Sequence, residues 1–255
     1  MNTLFIGIDE AGRGPWAGPL VVAGLALFDA KILSEIALLN DSKKLSEKNR
    51  EKIFNELQNL KNVEKLDFCI IEKSAEIIDE KGIRETNRRA MCEIIANILE
   101  KFLTQNQKTN IDESKICVLI DGSDNFRFEE LEEKCVCEYF FARKKSRKNP
   151  EANQESFFPK ISSQNTFLRP KIEIQFLIGG DASEKIISAA SILAKVTRDS
   201  IMKRFSEDFP EYNFAKNRGY GTKSHHEAIL NYGINFLHRK TYEPIKTLIS
   251  RDSGI

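Results

Sequence analysis

The sequence predicts an α/β fold with a mixed sheet, and three observations carry that prediction. Strand-length apolar runs come first and then alternate with stretches of helical periodicity, the order expected of a layered α/β domain. One early run, LVVAGLALF at 20–28, contains no polar side chain, as in a strand covered on both faces. The 255 residues, 41% hydrophobic and 30% charged, are enough to enclose a sizeable core.

The elements follow in order. TLFIGID at 3–9 reads as the first strand and 20–28 as the second; Gly12, Gly14, Pro15, Gly18 and Pro19 between them mark a turn. The polar stretch NDSKKLS (40–46) leads into an amphipathic helix of about 46–60, with Ser46 as its cap. Residues 63–72 suggest a strand. Residues 83–103 carry Ile94, Ile95, Ile98, Leu99 and Phe102 at helical spacing. KICVLI at 115–120 forms a strand that runs into Asp121-Gly122; 184–206 reads as a long helix and 224–231 as a short one. Residues of about 142–172 follow no period. From Arg143 to Lys171 they hold eight Lys/Arg against two Glu, a surface insertion or a basic arm for nucleic acid.

Composition removes several classes. A net charge of +1 does not announce a nucleic-acid binder, so any such footprint is local. The five cysteines include no Cys-x-x-Cys pair. Cys69, Cys92 and Cys117 sit among apolar residues, and Cys135 with Cys137 are too few for a zinc site, the pattern of a reducing compartment. No basic start precedes an apolar leader, and the apolar run from Gly14 to Phe28 is broken by Pro15 and Pro19 and too short to cross a bilayer. A cytoplasmic protein is expected.

Four carboxylates stand at telling places. Asp9 and Glu10 end the first strand, Asp121 ends a later one, and Asp181 follows Gly179-Gly180 just before the long helix. Singly, each has a plain explanation: Asp121-Gly122 a turn, Asp181 with Glu184 a capping box. Together they point elsewhere, because strand ends and helix starts of an open α/β sheet converge on one crevice. Carboxylates gathered there repel unless a cation sits among them, and oxygen donors without His or Cys suit Mg²⁺ or Mn²⁺. Such clusters serve phosphoryl transfer. Neighbouring strand residues face opposite ways, so sharing a site requires strand geometry to end between Asp9 and Glu10; the glycines downstream permit that bend. Gly12–Gly18 lacks both the Lys-Ser/Thr ending of a P-loop and the dinucleotide spacing. The three histidines, His225, His226 and His238, accompany no candidate nucleophile. Lys195, Arg198 and Asp199 either support the site or form a solvated face.

The blocks GIDEAGRGPWAGP, NDSKKLSEK, VLIDG, GGDASEKIISAASILAKVTRD, FAKNRGYGTKSHHEAI and HRKTYEPIK resemble bacterial ribonuclease HII, the type 2 ribonuclease H, in order from residue 5 to about 246. The region 123–172 departs, being longer than the family's link, and Pro15-Trp16 is unusual. The resemblance implies a ribonuclease H-like mixed five-stranded sheet flanked by helices, in a catalytic domain at 1–210, with a small helical C-terminal part at 211–255 that contributes to nucleic-acid binding. It implies Asp9, Glu10, Asp121 and Asp181 as catalytic residues holding Mg²⁺ or Mn²⁺, and cleavage of RNA/DNA hybrids and of duplex DNA carrying single ribonucleotides. The cut would fall 5′ of the ribonucleotide and leave 3′-hydroxyl and 5′-phosphate ends. It further implies that the backbone of Gly12, Arg13 and Gly14 reads the 2′-hydroxyl, Tyr220 stacks on a deoxyribose, and Ser42 and Lys43 hold phosphate. A monomer with no membrane partner is expected. The rival readings are a non-catalytic nucleic-acid-binding module of the same fold and a DNA-cutting relative.

Overall fold

The computed structural model describes residues 3–36, 39, 45–105, 115–122 and 171–252. Among the described residues five strands form one sheet: β1 (Thr3–Ala11), β2 (Leu20–Leu27), β3 (Asp67–Lys73), β4 (Lys115–Asp121) and β5 (Lys171–Leu177), in the order β3-β2-β1-β4-β5. The β1–β2 and β2–β3 pairs are antiparallel; β1–β4 and β4–β5 are parallel. The mixed sheet is therefore as expected, and every residue of β2 is buried.

The helices are α1 (Glu47–Asn62), α2 (Ala75–Lys81), α3 (Ile83–Gln105), the single turn α4 (Gly180–Ser183), α5 (Lys185–Asp208), α6 (Phe214–Asn217), α7 (Lys223–Tyr232) and α8 (Ile245–Asp252). Strand alternation sorts the core into two layers. Val21, Ala23 and Leu25 face α5 and α1 through Ile187, Leu193, Ile53 and Leu57. Leu4, Ile6, Ile8, Leu20 and Val22 face α3 through Ile94, Ile95 and Ile98. A third cluster joins Ala17 and Met202 to Tyr212, Phe214, Ile229, Leu237 and Ile245, so the last stretch of chain packs on the turn after β1.

Ser46 caps α1, its hydroxyl accepting from the Asn49 N–H at 3.3 Å. The strand expected at 63–72 starts only at Asp67, because α1 runs on to Asn62 and a left-handed Glu64 turns the chain. The irregular segment expected to reach 172 ends earlier: β5 begins at Lys171 and pairs with Lys115 of β4. Its pattern KIEIQFL alternates Ile172, Ile174 and Phe176 onto the α3 side, a strand signal masked by the basic stretch before it. Among the described residues no helix is long and apolar enough to cross a membrane.

Candidate active site

The first two acids lie within the sheet ladder. Asp9 pairs with Ala23, Glu10 with Val22 and Ala11 with Val21, so the strand does not end between them as the sequence led us to expect. The two side chains leave by opposite faces. Asp9 points toward α5, where the Ser191 hydroxyl favours its ionised form; Glu10 points toward α3, facing Asn87, with the Arg13 guanidinium 3.1 Å from its Oε1. Both nevertheless feel the charge of Asp121 on the adjoining β4. The acids thus grip the end of the sheet from both faces.

Asp181 joins them through the backbone. Asp121 is the last residue of β4, and its Oδ1 accepts the Asp181 N–H at 3.4 Å. Asp181 sits in α4, entered through a left-handed Gly179 (φ 69°). The capping-box explanation fails: the residue capping α5 is Glu184, and no side chain caps either α4 or α5.

Burial dominates the electrostatics. It pushes the Asp9 carboxyl up to about 8, with repulsion from Glu10 and Asp121 adding to it. Burial also raises Glu10, against the opposing pull of Arg13. The Glu10 Oε2 is buried with no hydrogen-bond partner. Asn87, fully buried beside it, lies near enough to favour the carboxylate, yet neither atom of its amide completes a hydrogen bond. Such groups are costly unless a partner arrives, and hard oxygen donors suit Mg²⁺ or Mn²⁺. Among the described residues, no three His, Cys, Asp or Glu side chains already form a closed cage for such an ion. The fit rests on the donor chemistry and the orphaned Glu10 oxygen.

Beside the acids opens a cleft of about 280 Å³, walled by residues 10–14, by Ser191, Lys195, Arg198 and Asp199 of α5, and by Tyr220. Gly12 is required in its floor: its φ is +97°, and a Cβ there would collide with the Arg198 guanidinium and the Pro19 carbonyl. Two buried guanidiniums hold the loop from beneath. Arg239 donates to the carbonyls of Gly12 (2.6 Å), Arg13 (3.0 Å) and Gly18 (2.9 Å). Arg198 donates to those of Pro19 (3.0 Å), Ala17 (3.2 Å) and Arg218 (3.0 Å). Burial, then the neighbouring Arg239, lowers Arg198 to about 10, so it stays protonated at neutral pH. The Tyr242 hydroxyl adds a bond to the Arg13 carbonyl at 2.8 Å.

Tyr220 stands across the cleft, half exposed, its ring the nearest neighbour of Gly14 and 6.0 Å from the Arg198 guanidinium. Its N–H donates to the Asn217 carbonyl (2.9 Å), and its carbonyl lies 2.9 Å from His225 Nδ1. The preceding Gly219 needs its left-handed φ of +80°, since a Cβ would strike the Ala17 carbonyl. Gly12, Arg13, Gly14 and Tyr220 are therefore brought together with Glu10. Ser42 and Lys43 lie outside the described residues.

Lys195, Arg198 and Asp199 line the cleft instead of forming a solvated face; Lys195 pairs with Asp199 at 3.6 Å, and Arg218 reaches Asp199 at 3.5 Å. Sequence reasoning missed Ser191, Asn87, Arg239 and Tyr242. Arg239 and Tyr242 lie within the block HRKTYEPIK, but nothing local says that they reach back to residues 12–18.

A family model for Ribonuclease HII matches residues 6–150 and 151–244. The chain belongs to the ribonuclease HII family. It is 37% identical to the Ribonuclease HII of Aliarcobacter butzleri, over 98% of this chain and 95% of that one. It is 36% identical to the Ribonuclease HII of Endomicrobium trichonymphae, over 96% and 88%. Its fold matches RNase HII of Archaeoglobus fulgidus, solved in complex with PCNA (TM-score 0.62, 24% identity, 94% and 95% covered). It also matches ribonuclease H2 of Pyrococcus horikoshii OT3 (TM-score 0.60, 23% identity, 99% and 100% covered). As a ribonuclease HII family member the chain is a metal-dependent endoribonuclease acting on the RNA strand of RNA/DNA hybrids, which sets aside the non-catalytic binding module.

Proposed function

We propose that this ribonuclease HII chain also cuts on the 5′ side of single ribonucleotides embedded in duplex DNA, with Asp9, Glu10, Asp121 and Asp181 as its catalytic, metal-holding residues. The observation that carries this reading is the shared cleft: Glu10, the 12–14 loop and Tyr220 line one opening. A phosphodiester at the acids would lay its ribose on the loop and the next sugar under the Tyr220 ring. Two Mg²⁺ or Mn²⁺ ions held by the carboxylates would supply positive charge for the attacking and leaving oxygens. A Bst-RNase HIII of the same fold was solved in complex with Mn²⁺, and the orphaned Glu10 oxygen supports the same donor use here.

The chain's own residues supply the rest. Water adds to phosphorus, the bond to the preceding nucleotide's 3′-oxygen breaks, and the ends are 3′-hydroxyl and 5′-phosphate. Main-chain groups of Gly12, Arg13 and Gly14 read the 2′-hydroxyl, since glycine lets backbone approach a sugar closely. Tyr220 stacks on the deoxyribose past the junction, and Ser42 and Lys43 hold phosphate. The part at 211–255 contributes to nucleic-acid binding beside a catalytic domain of 1–210, and the chain acts as a monomer in the cytoplasm. The test is cleavage of a duplex carrying one ribonucleotide, and of the same duplex in all-DNA form, with Mg²⁺, Mn²⁺ and chelator in parallel. Metal-dependent nicking at the 5′ side of the ribonucleotide alone is expected; an uncut duplex under conditions where a long hybrid is cut would sink the proposal.

A further inference from the structure

We infer that Arg239 is a positioning residue for substrate recognition: buried behind the 12–14 loop, it sets the orientation of the peptides that meet the ribose. The inference rests on the reading of that loop given above. Arg239 is fully buried, so it cannot touch a substrate itself. Among the described residues no carboxylate lies within ion-pair distance of it; its donors go to the carbonyls of Gly12, Arg13 and Gly18. A buried cation is costly to keep, and simple packing could be met by an apolar side chain of similar volume.

The carbonyl bonds have a geometric consequence. In a trans peptide the C=O and the following N–H point in opposite directions. Gly12 and Arg13 carbonyls drawn inward to Arg239 therefore direct the N–H groups of Arg13 and Gly14 outward, toward the cleft those residues line. The guanidinium thus aims a short ridge of donors, and its charge behind them favours an electron-rich partner in front. The planar fork is what allows one side chain to serve three carbonyls; a lysine ammonium presents a single point.

The same stretch also steadies the opposite wall. The Arg239 N–H donates to the Trp16 carbonyl and the Gly18 N–H to the Leu237 carbonyl, both at 2.8 Å. His238 Nε2 lies 3.2 Å from His225 Nε2, and His225 Nδ1 is the group that holds the Tyr220 carbonyl. Loop and tyrosine are both referenced to residues 237–239, so the gap between them is set by one short strut.

The decisive comparison is Arg239→Lys against Ile53→Val in the full chain. Ile53 of α1 is fully buried in the core layer of Val21 and Leu193, a cluster separate from the one that holds Leu237. We expect Arg239→Lys to raise KM for a long RNA/DNA hybrid by about tenfold or more, the scale of lost charge-assisted hydrogen bonds, with Mn²⁺ affinity unchanged. Ile53→Val should lower the melting temperature and leave KM alone, because a merely loosened fold reduces the active fraction. A wild-type KM in Arg239→Lys, or equal KM increases in both variants, overturns the inference. The single-ribonucleotide duplex tests the underlying reading separately: a wild-type chain unable to cut it removes that reading, while KM on the hybrid still decides the role of Arg239.

Discussion

The two walls of the cleft are built on opposite terms. On the carboxylate side, buried polar groups lack partners: the Glu10 Oε2 and both amide atoms of Asn87 have none, and burial drives Asp9 and Glu10 toward their protonated forms. On the loop side, carbonyls of Gly12, Arg13, Ala17, Gly18 and Pro19 are held by two guanidiniums. On the proposed reading, the first wall stays unsatisfied until a cation completes it. The second is satisfied within the chain, which on the same reading suits a surface that must hold its shape against a sugar. Polarity alone does not separate them; the state of satisfaction does.

The strongest way to break this comparison is to remove the charges of the unfinished wall. Asp9→Asn and Asp181→Asn should each lower turnover by about 10²–10³-fold or more, the scale of losing one preorganised stabiliser of transition-state charge. In chelator, neither should lower the melting temperature: Asp9→Asn relieves repulsion with Glu10 and Asp121, and Asp181 is the N-cap residue of neither α4 nor α5. Single-turnover rates with calorimetry on the same samples decide it. A destabilised Asp181→Asn with normal turnover would return that residue to a structural role.

The finished wall is sharpened by Tyr220. Its backbone is fixed by Asn217 and His225 while its ring stays half exposed, so truncation should remove a contact and spare the turn. Tyr220→Ala should cost about tenfold to hundredfold on a single embedded ribonucleotide, the range for one stacking contact, and Tyr220→Phe should keep most activity. Comparison with a long hybrid adds direction, the junction substrate being expected to suffer more. Equal losses on both, or a Phe variant as poor as Ala, would assign the ring a structural role.

The smallest effect concerns the strut behind Tyr220. Burial, then the neighbouring His225, lowers His238 to about 4, and burial lowers His225 as well. The groups facing His238 are His225, Asn235 and the rings of Tyr212 and Phe214, with no carboxylate among them. The native state therefore favours the neutral imidazole. That contribution is fully present above the ordinary histidine value of 6.5 and is lost as pH falls from there toward 4, on the order of 1–3 kcal/mol. Thermal melts between pH 7 and pH 4 should show this decline, and His238→Asn should flatten it. An unchanged slope in the variant would place the decline elsewhere.

What the sequence made legible follows from the range of the interactions involved. Strands and long helices announced themselves by periodicity: β2 by its unbroken apolar run, α3 by Ile94, Ile95, Ile98 and Leu99. The four acids were legible as punctuation after strands and before a helix. The manner of their gathering was not, because it depends on β1 continuing through Ala11 and on Asp121 and Asp181 meeting through a backbone N–H. The strand β5 was hidden by the charged stretch leading into it. Arg198 could be seen only as one of three charged residues on a helix, and Arg239 and Asn87 not at all as site residues. Their roles are set by contacts far away in the chain, which local pattern does not encode.

The reach of Arg239 has a temporal side. It lies 227 residues downstream of the Gly12 carbonyl that it holds, a long loop to close. During synthesis at about 5–20 residues per second, Gly12 emerges roughly 11–45 s before its clamp exists. β1, with Asp9 and Glu10, can pair with β2 and then with β4 and Asp121 well before then, while Asp181 emerges only shortly ahead of Arg239. On the proposed reading, a growing chain thus acquires its first acids early, and the support of its sugar-reading loop only once Arg239 has emerged.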